Sequence, residues 1–565
     1  MPTPGRVGFL SQSGALGLAI IDYANTLELG LSSFVSVGNK ADLSANDLIQ
    51  YWENDARTDV ILLYLESFGN PRKFARIARR VARAKPIVAV KSGRTRAGAK
   101  AASSHTGALL QASDRTVDAL FRQAGVIRTD TLSELFDVAA VFANQPVPAG
   151  HRVAIVTNAG GPGILCADAC AGAGLDVVDL SQRTQDTLRR FLPREAAVTN
   201  PVDTLAAVSA DHLRRTITVV GGSGEVDALI AISIPPLAGD RAAMAEVVRE
   251  AATQLHGTIP VLSVFMSSTM AHPADGDPRV PTYAFPEDAV RALARVADYG
   301  AWRRTPEGTV VEPSGINDDE ASALLAAVAG GAPDGRWLTP DDVARLFACY
   351  EIPLVTTRSV ASIDEAVAAA RKLGPRVALK AIAPDLVHKI DIGAVRLDLA
   401  TDDEVATAAE QIADAVASAG HRLDGYIVQT MVESGVELLA GVTHDPVFGP
   451  VVVCGAGGTA VELVNDVAVR ITPLTDRDAE EMLESLATYP LLTGYRGAPQ
   501  TNIGAVTDLL LRLGRLAEHQ PTIAELDCNP VIVTPARAVV VDARVLVAPD
   551  PTRRAGARHR PVEGL

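Results

Sequence analysis

Val7-Gly-Phe-Leu-Ser-Gln-Ser-Gly-Ala-Leu-Gly17 and Val153-Ala-Ile-Val-Thr-Asn-Ala-Gly-Gly-Pro-Gly163 follow one plan. Each begins as a short, continuously apolar strand, the texture of a strand buried on both faces. Each then turns through small residues, from Ser11 and from Thr157, into the start of a helix. Beyond the first turn, strands at 33–37, 60–65 and 86–91 alternate with helices at 45–54 and 71–84, the rhythm of βαβ units on a parallel sheet. The turns lie 146 residues apart. That spacing predicts two copies of one α/β domain, 5–145 and 148–302, divided by the Pro/Gly break around 146–150.

Residues 303–335 read as a linker: Pro306, Gly308, Pro313 and Gly315, one acidic helix over 317–329, then Gly330-Gly-Ala-Pro-Asp-Gly335. From Leu338 the texture changes. Leu338-Thr-Pro-Asp-Asp is a helix start, with Thr339 placed to cap and Pro340 in the first turn. Residues 549–565 carry Arg553, Arg554, Arg558 and Arg560 among few apolar neighbours, which predicts a disordered tail.

Composition narrows the function classes. At 565 residues, 48% hydrophobic and 21% charged, the chain can bury several cores. Lys and Arg number 52 against 67 Asp and Glu, and the net charge of −15 argues against nucleic acid or an anionic membrane as partner. Any phosphate ligand must therefore be held by local donors. Cys166, Cys170, Cys349, Cys454 and Cys528 are too few and scattered for a disulfide framework, and no His cluster completes a zinc site. They read as small buried thiols in a reducing compartment. With no apolar run of ~18 residues and no hydrophobic signal core, the expected location is cytoplasmic.

The turns offer the first chemistry. Ser11, Ser13 and Gly14, and in the repeat Asn158, Gly160 and Gly161, stand where a strand meets a helix N-terminus. Backbone N–H groups and hydroxyls there can hold a phosphate, although packing also favours small residues at such turns. His105 lies in Ala101-Ala-Ser-Ser-His-Thr-Gly-Ala-Leu109, whose small and hydroxylic residues let a bulky group approach. A neutral imidazole is a competent nucleophile toward phosphorus. Glu66, closing the apolar run Ile61-Leu-Leu-Tyr-Leu-Glu66, is the candidate carboxylate to fix its tautomer. It falls at a strand end, where α/β ligand sites form. Lys380 ends the buried strand Val377-Ala-Leu-Lys380, a position suited to nucleotide phosphates and equally common in solvent. Near the C-terminus, Glu525-Leu-Asp-Cys-Asn-Pro530 and the hairpin after it place Asp527, Asn529 and Asp542 on adjacent strands. Such hard oxygen donors suit Mg²⁺.

In this order, Ser11-Gln-Ser-Gly-Ala-Leu-Gly, Gly38-Asn-Lys-Ala-Asp, Tyr64-Leu-Glu-Ser, Ser103-Ser-His-Thr-Gly-Ala, Thr157-Asn-Ala-Gly-Gly-Pro-Gly, Thr199-Asn-Pro-Val-Asp, His388-Lys, Gly455-Ala-Gly-Gly-Thr with Glu462, Asp466 and Arg470, and Glu525-Leu-Asp-Cys-Asn-Pro resemble the NDP-forming acyl-CoA synthetases. That superfamily includes succinyl-CoA synthetase and ADP-forming acetate–CoA ligase. The resemblance implies two flavodoxin-like domains with parallel sheets, then an ATP-grasp domain over 336–548. It implies an acid–thiol ligase in which a carboxylic acid, CoA and ATP give acyl-CoA, ADP and phosphate through an acyl phosphate.

Residue by residue, the resemblance makes His105 the phosphohistidine, Glu66 its orienting carboxylate, and the two turns its phosphate cradle. It puts Lys380 and Glu437 on the nucleotide, and Asn529 and Asp542 on Mg²⁺. His388 matches a second phosphoryl-carrying histidine of some members, in a run, His388-Lys-Ile-Asp-Ile-Gly-Ala394, that departs from the usual His-Lys-Ser/Thr-Asp-x-Gly-Gly. The match begins after the Rossmann-type CoA-binding domain with which family members open. A separate CoA-binding subunit, a misassigned start or a loss of that domain are the readings this leaves. An oligomer is also expected. The rival reading is a non-catalytic, nucleotide-sensing module. An ATP-grasp carboxylate–amine ligase would leave the first 300 residues unexplained.

Overall fold

The computed structural model describes residues 3–38, 43–95, 113–234, 241–266, 279–329, 335–383, 392–445, 447–458 and 466–548. The chain forms two compact units, Met1–Pro306 and Glu307–Leu565. His105, His388, Glu462 and the expected tail lie outside the described residues.

In the first unit, β1 (Pro4–Ser11), β2 (Leu31–Ser36), β3 (Val60–Leu65), β4 (Ile87–Lys91) and β5 (Val126–Thr129) form a parallel sheet in the order β2-β1-β3-β4-β5. Phe9, Leu10, Ile61, Leu62 and Leu63 are buried, as strands covered on both faces require. The second sheet repeats the plan with β6 (Arg152–Thr157), β7 (Asp176–Val177), β8 (Val202–Asp203), β9 (Ala228–Ser233), β10 (Val261–Phe265) and β11 (Thr282–Tyr283), in the order β11-β10-β9-β6-β7. Both are the doubly wound, flavodoxin-like order expected of α/β halves.

The copies differ at one edge. Where the first sheet has the single strand β2, the second has β7 beside the start of β6 and β8 beside its end. Asn200 makes the split: its Oδ1 accepts from Ile155 N–H at 2.9 Å, and its Nδ2 donates to the carbonyls of Val153 and Val178. The amide thus takes the rungs between the two short strands. This explains the Thr199-Asn-Pro-Val-Asp motif and delivers Asp203 to the sheet's carboxyl end.

The two copies share one core. Helix Pro286–Arg304, at the end of the second copy, packs on helix Leu132–Asn144 of the first and on helix Gly160–Gly172. Leu135, Phe136, Cys166, Cys170, Leu293 and Val296 belong to one buried cluster. Trp302 lies against Gly125, whose φ of +66° and lack of a Cβ both matter, since a Cβ would stand 2.2 Å from the indole. All five cysteines are free and buried.

The second unit has two antiparallel sheets. The smaller contains β13 (Thr357–Val360), β14 (Val377–Ile382), β15 (Val395–Leu399) and β16 (Gly425–Thr430), in the order β13-β16-β14-β15. The larger contains β12 (Arg336–Trp337), β17 (Val436–Asp445), β18 (Gly449–Ala456), β19 (Val467–Ile471), β20 (Ile523–Val533), β21 (Ala538–Val540) and β22 (Ala543–Val547). Its order is β12-β22-β20-β17-β18-β19, with β21 on β20. Thr339 caps as expected, its side chain accepting from Asp342 N–H. The stretch read as a linker divides. Helix Pro286–Arg304 reaches into it from the first unit, and helix Asp318–Ala329 buries Ala321, Leu324 and Leu325 in the second unit's core.

Candidate active site

Each tip is built by a hydroxyl and an amide. Ser11 Oγ donates to the Ser13 carbonyl at 2.8 Å and accepts from Ser13 N–H. Thr157 Oγ1 does the same for Ala159, donating at 2.9 Å and accepting at 3.0 Å. Helices Gly14–Thr26 and Gly160–Gly172 then start with no side chain capping their first N–H groups. Ser13, Gly14 and Ala15 are partly or fully exposed, as are Ala159, Gly160 and Gly161. Two helix N-termini are therefore open to an anion. Gly14 is not required by packing, since an added Cβ would meet only Ser36 Oγ at 3.9 Å; at Gly161 it would meet nothing within 4 Å. Ser11 and Asn158 are buried and shape the turns, so the surfaces an anion can touch are Ser13, Gly14, Gly160 and Gly161.

Gln12, which the sequence reading passed over, fastens the first tip to Glu66. Its Oε1 accepts from Glu66 N–H at 2.7 Å and Ser67 N–H at 3.0 Å, and its Nε2 donates to the Ser67 carbonyl at 3.0 Å. The backbone of Glu66 is thereby fixed just past the end of β3, and the residue is half-buried. Asn158 is the twin of Gln12: it accepts from Ile234 N–H at 2.8 Å and donates to the Ile234 carbonyl at 2.9 Å. Glu66 in one copy thus answers to Ile234 in the other. On the opposite flank, Ser11 pairs with Ser36 and Thr157 with Asp203. Asp203 Oδ2 would stand 3.2 Å from a Cβ on Gly160. Each tip has one carboxylate neighbour, on opposite sides. A shared amide at the second position of each turn was the available signal: Ser-Gln-Ser-Gly and Thr-Asn-Ala-Gly align residue for residue.

In the second unit, Lys380 is 6% exposed on β14, its Nζ 3.4 Å from Asp542 Oδ2 and 3.5 Å from the Val541 carbonyl. Gln429 on β16, opposite Ala378, donates to the same carbonyl at 3.0 Å. Its Oε1 is buried without a hydrogen-bond partner, a donor-seeking atom beside Lys380 that no sequence motif marked. Asn529 N–H donates to the Asp542 carbonyl at 3.1 Å, and Asn529 Oδ1 accepts from Gly458 N–H at 3.4 Å. Gly458, at φ +79°, also lies so close to Glu437 that a Cβ would stand 2.4 Å from Glu437 Oε2. The glycine run therefore joins Glu437 to Asn529, and Lys380, Glu437, Asn529 and Asp542 converge.

Burial pushes the Asp527 carboxyl above its ordinary range, and the like charges of Glu525 and Asp542 add to this against Arg544. Oxygen-only donors crowded by like charge fit a hard divalent cation. Among the described residues no cluster of three or more His, Cys, Asp or Glu forms a complete cage. A pair such as Asn529 and Asp542 suits Mg²⁺ that takes its other ligands from water and phosphate.

Three family descriptions match in chain order: "Succinyl-CoA ligase like flavodoxin domain" over 4–142, "Ligase-CoA domain" over 153–275 and "ATP-grasp domain" over 331–547. The chain is 36% identical over 554 residues to acetate–CoA ligase (ADP-forming) I of Archaeoglobus fulgidus, covering 97% of this chain and 78% of that one. It is 33% identical over 539 residues to 4-hydroxybutyrate–CoA ligase (ADP-forming) of Nitrosopumilus maritimus, covering 94% and 76%. Among solved structures, dinucleotide forming acetyl-coenzyme A synthetase 1 of Ca. Korarchaeum cryptofilum, in complex with phosphate and ADP, matches with TM-score 0.50 and 30% identity. That match covers 54% of this chain and 66% of the other.

Proposed function

We propose, from the premise that this chain belongs to the NDP-forming acyl-CoA synthetases, that it ligates a small carboxylic acid to CoA at the expense of ATP. The overall reaction converts acid, CoA and ATP to acyl-CoA, ADP and phosphate. His105 attacks the terminal phosphorus of ATP and ADP leaves; the phosphoryl group then passes from His105 to the substrate carboxylate. The thiolate of CoA adds to the acyl phosphate carbonyl and phosphate is expelled. The open N–H groups at Ser13–Gly14 and Gly160–Gly161 offset charge on the phosphoryl group without reorganising. Glu66 holds the His105 imidazole in one tautomer, as Gln12 holds Glu66. Lys380 and Glu437 bind nucleotide. Asn529 and Asp542 would hold Mg²⁺, which supplies charge neutralisation at the phosphates. His388 is assigned a second phosphoryl-carrying role.

The observation that supports this reading is the Gln12 clamp, which ties the backbone of Glu66 to the turn before an uncapped helix tip. A nucleotide-sensing module without catalysis would have no use for it and is not favoured. The acid is a monocarboxylate or hydroxy acid in the named relatives above. The partners of the reaction are CoA and a small carboxylic acid, with a separate CoA-binding subunit and an oligomer as part of the proposal. Among the described residues no helix is long and apolar enough to cross a membrane; a cytoplasmic setting is part of the proposal. The test is chromatographic detection of acyl-CoA from a panel of short acids with CoA and MgATP. Equimolar ADP and acyl-CoA are expected, and ATP turnover indifferent to acid and CoA would contradict the reading.

A further inference from the structure

We propose that Arg544, braced on Trp337, binds the terminal phosphate of the nucleoside triphosphate held at the Asn529–Asp542 pair. This rests on the ligase reading and adds to it a residue that separates triphosphate from diphosphate.

β20 and β22 run antiparallel, with Asp527 opposite Arg544 and Cys528 opposite Ala543. Cys528 is fully buried, on the core side. Alternate residues of a strand share a face, so Asp527 and Asn529 on β20 share theirs with Arg544 on β22 and with Asp542 just before it, whose carbonyl accepts from Asn529 N–H in the same register. Two residues along a strand is about 7 Å. Arg544 therefore stands about one such repeat beyond Asp542 on the same face, while Lys380 Nζ stands 3.4 Å from the Asp542 carboxylate. One cation thus adjoins Asp542 and another lies one strand repeat along from it, and a chain of three phosphates has the length to meet both.

Trp337 sets the guanidinium in place. It lies on the edge strand β12, opposite Leu546 of β22, and the guanidinium carbon of Arg544 is 4.3 Å from the indole centroid. Stacking holds a guanidinium by its face and leaves its in-plane N–H donors unused. Among the described residues those donors make no hydrogen bond or ion pair. A planar fork of donors, fixed in position and not engaged by protein, matches the two free oxygens of a terminal phosphate. Lysine at this position would keep the charge and lose the fork.

The test is calorimetric titration of the full chain, in excess Mg²⁺, with ADP and with β,γ-methylene-ATP, which cannot transfer its phosphoryl group. Arg544→Gln is expected to weaken the triphosphate analogue about ten- to hundredfold, the loss of one charge-assisted contact, and to leave ADP within about twofold. Trp337→Leu is expected to weaken the analogue in the same selective way by a smaller factor, and Trp337→Phe to restore it. If Arg544→Gln does not fold, judged by its thermal melt, Arg544→Lys is read in its place for the same contrast. Equal losses for both nucleotides, or an unchanged analogue affinity, overturn the proposal. Failure of the wild-type chain to bind either nucleotide overturns the ligase reading instead.

Discussion

Asp137 carries the clearest pH signature in the first unit. It sits on helix Leu132–Asn144 against the start of helix Pro286–Arg304, and burial pushes its carboxyl up to about 7. Asp288 and Glu134 add to the shift and Arg291 opposes it. The folded state therefore favours the protonated acid. That contribution to stability is complete below the ordinary carboxylate range and is lost as pH rises through about 7. Asp137→Asn should match wild type near pH 4 and exceed it near pH 8, by at most about 4 kcal/mol. Thermal melts across that range check it, and parallel curves for the two proteins would contradict it. The positions of Glu66 and Asp542, just after apolar strands, were legible; Lys380, expected at a strand end, lies inside β14, which runs on to Ile382, and Asn529 lies inside β20. Gln12 was not legible, because its partners lie 54 and 55 residues away on another strand. Gln429 and Arg544 likewise acquire meaning only when Val541 and Trp337 are brought beside them.

The strand–turn–helix element at each tip separates packing glycines from ligand glycines. Gly8 needs its hydrogen: a Cβ would stand 2.7 Å from the ring of Trp52, which is itself buried and donates to Ser33 Oγ. Gly8→Ala should cost about 1–3 kcal/mol through overpacking. Gly14 has room, so Gly14→Ala should leave the melting temperature unchanged while slowing phosphoryl transfer, by setting a methyl group where the anion approaches. Melts and single-turnover labelling distinguish the two; a large stability loss in Gly14→Ala would make that glycine structural. The repeat of this element was readable because strand, turn and helix start are local. The divided edge strand β7/β8 was not, since two-residue strands carry no periodicity and the split depends on Asn200 reaching Val153, Ile155 and Val178.

Across the whole molecule, each unit has cores of its own: the shared cluster around Phe136 and Val296 and the one around Leu213 in the first, those around Phe347 and Leu379 in the second. Polypeptides 1–306 and 307–565 should therefore fold separately, each with a cooperative melt. Insolubility of either piece would show that its core is incomplete. The repeated α/β halves were legible in the sequence from the spacing of two turns. Their fusion into one unit was not, because helix Pro286–Arg304 reveals its second partner only in three dimensions.

The central claim is that this chain carries a phosphoryl group on His105. Brief incubation with γ-³²P-ATP and Mg²⁺, followed by peptide mapping, tests it most directly. Acid-labile, base-stable label on the peptide containing His105, absent from His105→Ala, is the expected result. Undiminished label in His105→Ala would contradict the account.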